Sequence, residues 1–167
     1  MKGKSEMNIV LSGISILTGF LIGCIAAARM SAELKNLSEL YDTLETLKNH
    51  ICTYSSGLHE AIVNGELDKK CALFSVIAEK LTIRRTDGVF SEAIDSSPYN
   101  SEIKMSLSRL FDAISQSEEA EIRKNFDITI ITVQKYKNEA QIKKEKDAPL
   151  CKKVGLLVGI GAAILII

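Results

Sequence analysis

The sequence is poor in the residue types from which catalytic and metal sites are commonly built. It contains two histidines, four cysteines, two prolines and no tryptophan. The cysteines are Cys24, Cys52, Cys71 and Cys151. They form no Cys-x-x-Cys pair or other spacing typical of metal ligands, so we expect four reduced, partly buried thiols. His50 and His59 each lack a second ligand three or four residues away, and we interpret both as surface or capping side chains.

Catalytic motifs are also missing. Glycine-rich phosphate loops, nucleophile elbows and Glu-x-x-His pairs do not occur in the sequence. Glu118, Glu119 and Glu121 resemble paired catalytic carboxylates, but they open a predicted helix, where acidic side chains interact favourably with the helix dipole. The sequence therefore predicts that the protein is not an enzyme and that it needs no metal, no cofactor and no small-molecule substrate.

Charge is balanced over the whole chain but not along it. The 21 lysines and arginines match 21 aspartates and glutamates, so we expect no nucleic-acid partner. Residues 135–153, in contrast, are rich in lysine. These lysines are Lys135, Lys137, Lys143, Lys144, Lys146, Lys152 and Lys153. We expect the last five to lie at the membrane surface, because juxtamembrane lysines mark the cytoplasmic side and attract anionic lipid. Arg29 and Lys35 support the same side, whereas Lys2 and Lys4 do not; we place the middle of the chain in the cytoplasm.

Two apolar segments bracket the charged middle of the chain. Residues 7–28 carry no charged side chain, and about 22 residues suffice to cross a hydrocarbon core of roughly 30 Å. Residues 154–167 give only about 21 Å of helix, so they span only if Lys152 and Lys153 extend towards the surface and the bilayer thins. The predicted parts are an N-terminal transmembrane helix (7–28), a cytosolic helical bundle domain (29–148) and a short C-terminal transmembrane helix (150–167).

Small residues recur every four positions in both apolar segments. They are Gly19, Gly23 and Ala27 in the first segment and Gly155 and Gly159 in the second. This spacing lets helix backbones approach closely in lipid. Two interpretations stay open: glycine is common in membrane helices, or these residues mediate contact between the two anchors or with another membrane subunit.

Apolar residues in the middle of the chain recur at steps of three and four, the spacing typical of amphipathic helices. The first stripe runs without a break to Tyr54, so we expect the membrane helix and the first bundle helix to be continuous. Further expected features are a helix end at Asn64-Gly65, a helix start at Leu67, a short helix with Phe90 and Ile94, a cap at Ser101 and a last helix over residues 118–147. The predicted fold is all-α, an antiparallel six-helix bundle flanked by the two membrane helices.

One segment has a competing preference. Residues 128–133 are all β-branched and would suit a strand by propensity alone. We predict a helix there, because the helical spacing continues on both sides and the sequence offers no second strand to pair with.

Helix lengths predict where a partner could bind. Residues 31–54 extend about 36 Å from the membrane, and the last helix returns about 45 Å. The corner at residues 54–58 and the turn at 115–118 should then lie together at the end far from the bilayer. The residues expected to bind a partner there are Tyr54, Leu58, Ser115, Ser117 and Glu118.

The N-terminal segment also permits a different interpretation. Residues 21–24, Leu-Ile-Gly-Cys, resemble a lipobox, and residues 26–28 could satisfy an ordinary signal peptidase. Cleavage before Cys24 would give an exported lipoprotein or envelope-binding helical module lipidated at that cysteine. The sequence after Cys24 argues against cleavage, because it stays apolar and leads without a polar linker into the next helical stripe.

The order of these features resembles stage III sporulation protein AB of endospore-forming bacteria over almost the whole chain. Shared features are an N-terminal span ending in small residues and Arg29, a leucine-rich helix to Ile51 and Tyr54, a Leu-x-Glu-Ala-Ile step at residues 58–62, and a Val-Gly-Leu-Leu-Val-Gly tail at 154–159. The family's turn glycine and a following glutamine before the last helix are replaced here, since residues 114–118 read Ile-Ser-Gln-Ser-Glu.

The resemblance implies a non-enzymatic component of the channel complex that the mother cell assembles on the membrane around the forespore. It also implies a cytosolic bundle related to the platform-protein helical domains of type II secretion and type IV pilus machines. The partners it implies are the secretion-type ATPase of the complex, stage III sporulation protein AA, and other membrane subunits.

Overall fold

The computed structural model describes residues 2–54, 58–64, 67–83, 88–116 and 118–166. Six α-helices are present in this part of the chain: α1 (Lys2–Tyr54), α2 (Leu58–Asn64), α3 (Ala72–Ile83), α4 (Val89–Ser96), α5 (Ser101–Gln116) and α6 (Glu119–Ile166). A 3-10 turn covers Leu67–Lys69. The described part contains no strand, so the all-α prediction is confirmed for it. Residues 55–57 of the predicted corner, Gly65 of the predicted helix end, and Ser117 lie outside the described residues.

Helix α1 is continuous over 53 residues. The predicted continuity of the membrane helix with the first bundle helix is therefore confirmed. Its cause is compositional: residues 28–54 contain no glycine or proline and are rich in leucine, glutamate and lysine, which favour the helix.

Helix α6 extends farther than expected. The predicted end near residue 147 is wrong. Helix α6 has 48 residues and runs from Glu119 through Pro149 to Ile166. A proline removes the one hydrogen bond to the carbonyl four residues earlier. The helix continues on both sides of the proline despite this loss. The β-branched residues 128–133 also lie within α6, as predicted.

Two compact units divide the chain. One consists of the residues up to Leu34 in α1 together with those from Asn138 onward in α6, and is called here the helix pair. The other, Lys35–Lys137, contains the rest of α1 and α6 and all the shorter helices, and is called the helical domain.

The helical domain is built on an apolar core to which all six helices contribute. In α1 the stripe Leu37, Leu40, Leu44 and Leu47 is at most 6% exposed. Other fully buried side chains are Ile62, Phe74, Ile77, Ile94, Ile103, Leu107, Leu110 and Phe126. Phe111 on α5 joins three elements, since its ring stacks on Phe90 of α4 at 4.6 Å and lies 6.2 Å from Phe74 of α3.

Two predicted helix starts are wrong, each for a local reason. Helix α3 begins at Ala72 and not at Leu67, because Lys70 donates its backbone N–H to the Leu67 carbonyl and closes a 3-10 turn first. Ser101 is the first residue of α5 and not its cap. The side chain of Asn100 takes that role, since its Oδ1 accepts the backbone N–H of Ile103 at 2.9 Å.

A partly buried polar contact involves Cys71 of the core. The Cys71 thiol and the Tyr99 hydroxyl are 3.7 Å apart, and burial raises the pKa of both groups above their ordinary values of 9.0 and 10.0. The fold therefore holds both in their neutral forms. Unfolding exposes them to water, where they ionise more readily, so the free energy of unfolding should fall as the pH rises above the ordinary thiol value.

We expect Tyr99→Phe to reduce that alkaline loss of stability by about 1 kcal/mol between roughly pH 9 and pH 11, because the late-ionising hydroxyl is gone. Thermal unfolding followed by circular dichroism measures the loss, and ultraviolet titration of tyrosinate measures the ionisation. Tyr41→Phe is the control, since the Tyr41 hydroxyl donates to Glu45 at the surface. The hydrogen bond to Glu45 also raises the pKa of Tyr41, so the contradicting result would be a late titration phase that Tyr99→Phe leaves at full amplitude.

Candidate functional site

The end of α1 lies beside the start of α6 in the helical domain. The guanidinium of Arg123 donates one hydrogen bond to the Cys52 carbonyl at 2.6 Å and another to the Glu119 carboxylate at 2.7 Å. Cys52 is two residues before the end of α1, and Glu119 is the first residue of α6. Arg123 thus fastens the two helix ends together, and its hydrogen bond with Glu119 raises the pKa of the guanidinium.

Those predicted partner-binding residues that the structure describes lie at or next to the ends of α1, α2, α5 and α6. Tyr54 is the last residue of α1, and Leu58, which is half-buried, is the first residue of α2. Ser115 is exposed near the end of α5, and its hydroxyl donates to the Phe111 carbonyl at 3.0 Å. Glu118 is exposed immediately before α6. Ser117 and the side chain of Tyr54 lie outside what the structure describes.

The start of α6 carries a concentration of acidic side chains. Glu118, Glu119 and Glu121 are all exposed, and the Glu118 carbonyl accepts the backbone N–H groups of Glu121 and Ile122 as the helix begins. These positions suit the interaction with the helix dipole that the sequence indicated. Arg123 was not anticipated, although its spacing of four from Glu119 is the signal for an ion pair on one helix face.

The lysine-rich segment divides between the two units. Lys135 and Lys137 belong to the helical domain, where they lie over the rings of Tyr136 and Tyr41 at 4.8 and 4.6 Å. The other lysines of the segment, Lys143, Lys144, Lys146, Lys152 and Lys153, belong to the helix pair. All five are exposed except Lys144, which is half-buried, and Lys143 forms an ion pair with Glu33 at 3.8 Å.

The helix pair is antiparallel and very close-packed. The Ser12 hydroxyl donates to the Ala163 carbonyl, and the Ser15 hydroxyl donates to the Gly159 carbonyl. Farther along α1, Gly19 contacts Gly155. Residue numbers thus rise along α1 while those of the contacted residues fall along α6, which makes the two helices antiparallel. A methyl group on Gly19 would lie 2.5 Å from the Gly155 carbonyl oxygen, closer than real side chains come. The two backbones therefore touch directly.

The other residues of the predicted four-residue spacing contact the opposite helix or, in the case of Ala27, are buried. A methyl group on Gly23 would lie 2.5 Å from the Cys151 carbonyl oxygen, and one on Gly159 would lie 2.9 Å from the Cα atom of Ile16. Ala27 is buried. These contacts join the two apolar segments to each other.

The structure also bears on membranes and metals. Two helices, α1 and α6, are long and apolar enough to cross a membrane by length and composition.

Within the described ranges, no three histidine, cysteine, aspartate or glutamate residues are grouped so that they could hold a metal ion. The four cysteines are free thiols, with Cys52 and Cys71 buried and the other two half-buried.

We expect Gly19→Ala and Gly159→Ala to destabilise the helix pair by about 1–3 kcal/mol, because each added methyl group overlaps backbone atoms of the opposite helix. The controls are Gly13→Ala and Gly161→Ala, since a methyl group at either position meets no atom within 4 Å. Thermal unfolding of the detergent-solubilised chain measures the effect. Equal melting temperatures for the two sets would refute the close packing.

Comparison with known proteins adds the family. A family model described as stage III sporulation protein AB matches residues 8–167. Searches of curated proteins and of solved structures gave no significant match.

Proposed function

The chain belongs to the stage III sporulation protein AB family, and we propose that it is a non-enzymatic, membrane-anchored assembly component of the channel complex linking mother cell and forespore. The family match carries this proposal, because it covers nearly the whole chain and gives it a role in sporulation. The helical domain then serves as a platform that docks a secretion-type ATPase and other membrane subunits.

Membrane anchoring is supported by the surface of the helix pair. Large apolar side chains point outward on both helices, among them Leu17 at 63%, Leu157 at 66% and Ile164 at 69% exposure. A surface of this kind is unfavourable in water and suits hydrocarbon. The same pair carries the five lysines from Lys143 to Lys153, which favour the cytoplasmic side. We therefore place the protein in the mother-cell membrane with the helical domain in the cytoplasm.

Partner docking is assigned to the junction that Arg123 fastens. The proposed docking surface combines negative charge with an apolar side chain. The charge comes from the three exposed glutamates at the start of α6, and the apolar side chain is the half-buried Leu58 at the start of α2. An antiparallel arrangement of the six helices, as in platform-protein domains, would present this end to the cytosol. The complementary surface on the ATPase would be basic with an apolar recess.

We expect Glu118→Lys and Leu58→Asp each to reduce co-purification of stage III sporulation protein AA at least about fivefold, the effect of losing roughly 1 kcal/mol at an interface. The matched controls are Glu139→Lys, an exposed charge reversal elsewhere on α6, and Met105→Asp, an exposed apolar residue of α5. Circular dichroism shows whether each variant folds. Unchanged pull-down with both folded variants would exclude this end as the docking surface.

Orientation can be measured separately. With the four native cysteines replaced by serine, Met105→Cys is expected to react with a membrane-impermeant maleimide in inverted vesicles and to be protected in whole cells. Intact mass of the membrane-extracted protein tests the lipoprotein alternative, because cleavage before Cys24 removes residues 1–23. Labelling in unbroken cells, or loss of those residues, would place the domain outside the cytoplasm.

A further inference from the structure

A groove runs along one side of the helix pair, where α1 and α6 diverge beside their glycine contact. It is lined by Ile22, Ala26 and Met30 of α1 and by Leu150, Val154 and Val158 of α6, and is called here the seam groove. Its volume is about 520 Å³, within the range of cavities that hold small organic ligands. Its lining is almost entirely apolar.

Charged groups surround only one end of this groove. A second cavity shares Ile22, Ala26 and Met30 with it and adds Arg29, Glu33 and Lys143. Asp147 lines the seam groove itself, one turn along α6 from Lys143. The groove is therefore apolar along its length and ionic at the end where the apolar segment of α1 stops.

The charges at that end are not equivalent. Lys143 and Glu33 form an ion pair with each other. Among the residues that the structure describes, Arg29 and Asp147 have no ion-pair partner within 4.0 Å. The Asp147 carboxylate lines the seam groove and the Arg29 guanidinium lines the adjoining cavity, so a ligand that extends from one into the other would meet both. This combination complements a group that carries a phosphate and an ammonium together, and it disfavours a purely anionic group.

The length of the groove matches one leaflet of a bilayer. From Asp147 to Val158 the α6 backbone rises about 16 Å at 1.5 Å per residue, and half of a hydrocarbon core of roughly 30 Å is about 15 Å. A lipid with its headgroup at Arg29 and Asp147 would therefore place one acyl chain along the groove. That chain would be parallel to the acyl chains of the neighbouring lipids in the leaflet.

We propose that the seam groove is a binding site for an aminophospholipid, phosphatidylethanolamine in its chemistry. Arg29 contacts the phosphate, Asp147 accepts hydrogen bonds from the primary ammonium, and the acyl chain covers Ile22, Val154 and Val158. Recognition of the ammonium excludes phosphatidylcholine, which has no N–H to donate, and phosphatidylglycerol, which has no cation. The proposal rests on the membrane anchoring proposed above and is independent of ATPase docking.

The test is native mass spectrometry of the full chain released from detergent in the presence of equal amounts of phosphatidylethanolamine, phosphatidylcholine and phosphatidylglycerol with identical chains. The wild-type chain is expected to retain phosphatidylethanolamine in preference to the other two. Asp147→Asn should lower its retention about threefold to fivefold, the size of one partly exposed ion pair, and remove the preference over phosphatidylcholine. Arg29→Gln should weaken retention of all three lipids, because the phosphate is common to them.

Matched variants separate the groove from general effects on the membrane. Val154→Trp fills the groove and should reduce retention of every lipid, whereas Leu157→Trp, on the outer surface of α6, should not. Glu139→Gln and Lys124→Gln are the charge controls, since both residues are exposed and neither lines the groove. Equal retention of the three lipids by the wild-type chain, or no change in Asp147→Asn and Val154→Trp, would overturn the proposal.

Two further outcomes identify which proposal fails. A photo-crosslinker at Val154 that links to another protein in native membranes, and not to lipid, would mean that a partner helix occupies the groove. Extraction of the chain by alkaline carbonate without detergent would refute the anchoring itself. Resistance to carbonate combined with the absence of a lipid preference would refute the lipid site alone and leave the anchoring intact.

Discussion

Backbone contact between two apolar helices is the interaction on which the helix pair depends. In the membrane that we propose, the hydrophobic effect would not favour such a contact, and close van der Waals packing would have to do so. Gly19, Gly23, Gly155 and Gly159 make this packing possible because they place no side-chain atom at the points where the backbones touch. The hydroxyls of Ser12 and Ser15 add hydrogen bonds to opposing carbonyls. The same approach of the backbones shapes the seam groove, because the larger side chains stand on either side of it.

The helical domain is stabilised by different means. Burial of leucine, isoleucine and phenylalanine from six helices provides the favourable free energy there. Polar side chains mainly determine where helices begin and meet: Asn100 caps α5, and Arg123 holds the end of α1 against the start of α6. A surface that binds a partner can be changed on such a domain without disturbing the core, which is why charge reversals at Glu118 are informative.

Sequence periodicity was sufficient for the helices but not for their local boundaries. The stripe from Leu37 to Leu47 is buried as its spacing predicts, because burial of one helix face depends on the pattern alone. The last helix was expected to end near residue 147, but α6 continues through Pro149 to Ile166. Arg123 could not be assigned to Cys52, because their contact joins residues 71 positions apart. The partner-binding role of Leu58 and Glu118 stays a prediction, as an interface is defined by two surfaces and the sequence contains only one.

Both long helices pass from one unit to the other without interruption, at Leu34–Lys35 in α1 and at Lys137–Asn138 in α6. Neither glycine nor proline occurs near either crossing, so the backbone there contains no residue that favours a helix end or a kink. Uninterrupted helix at both boundaries is therefore the local preference of these residues, independent of the packing in either unit.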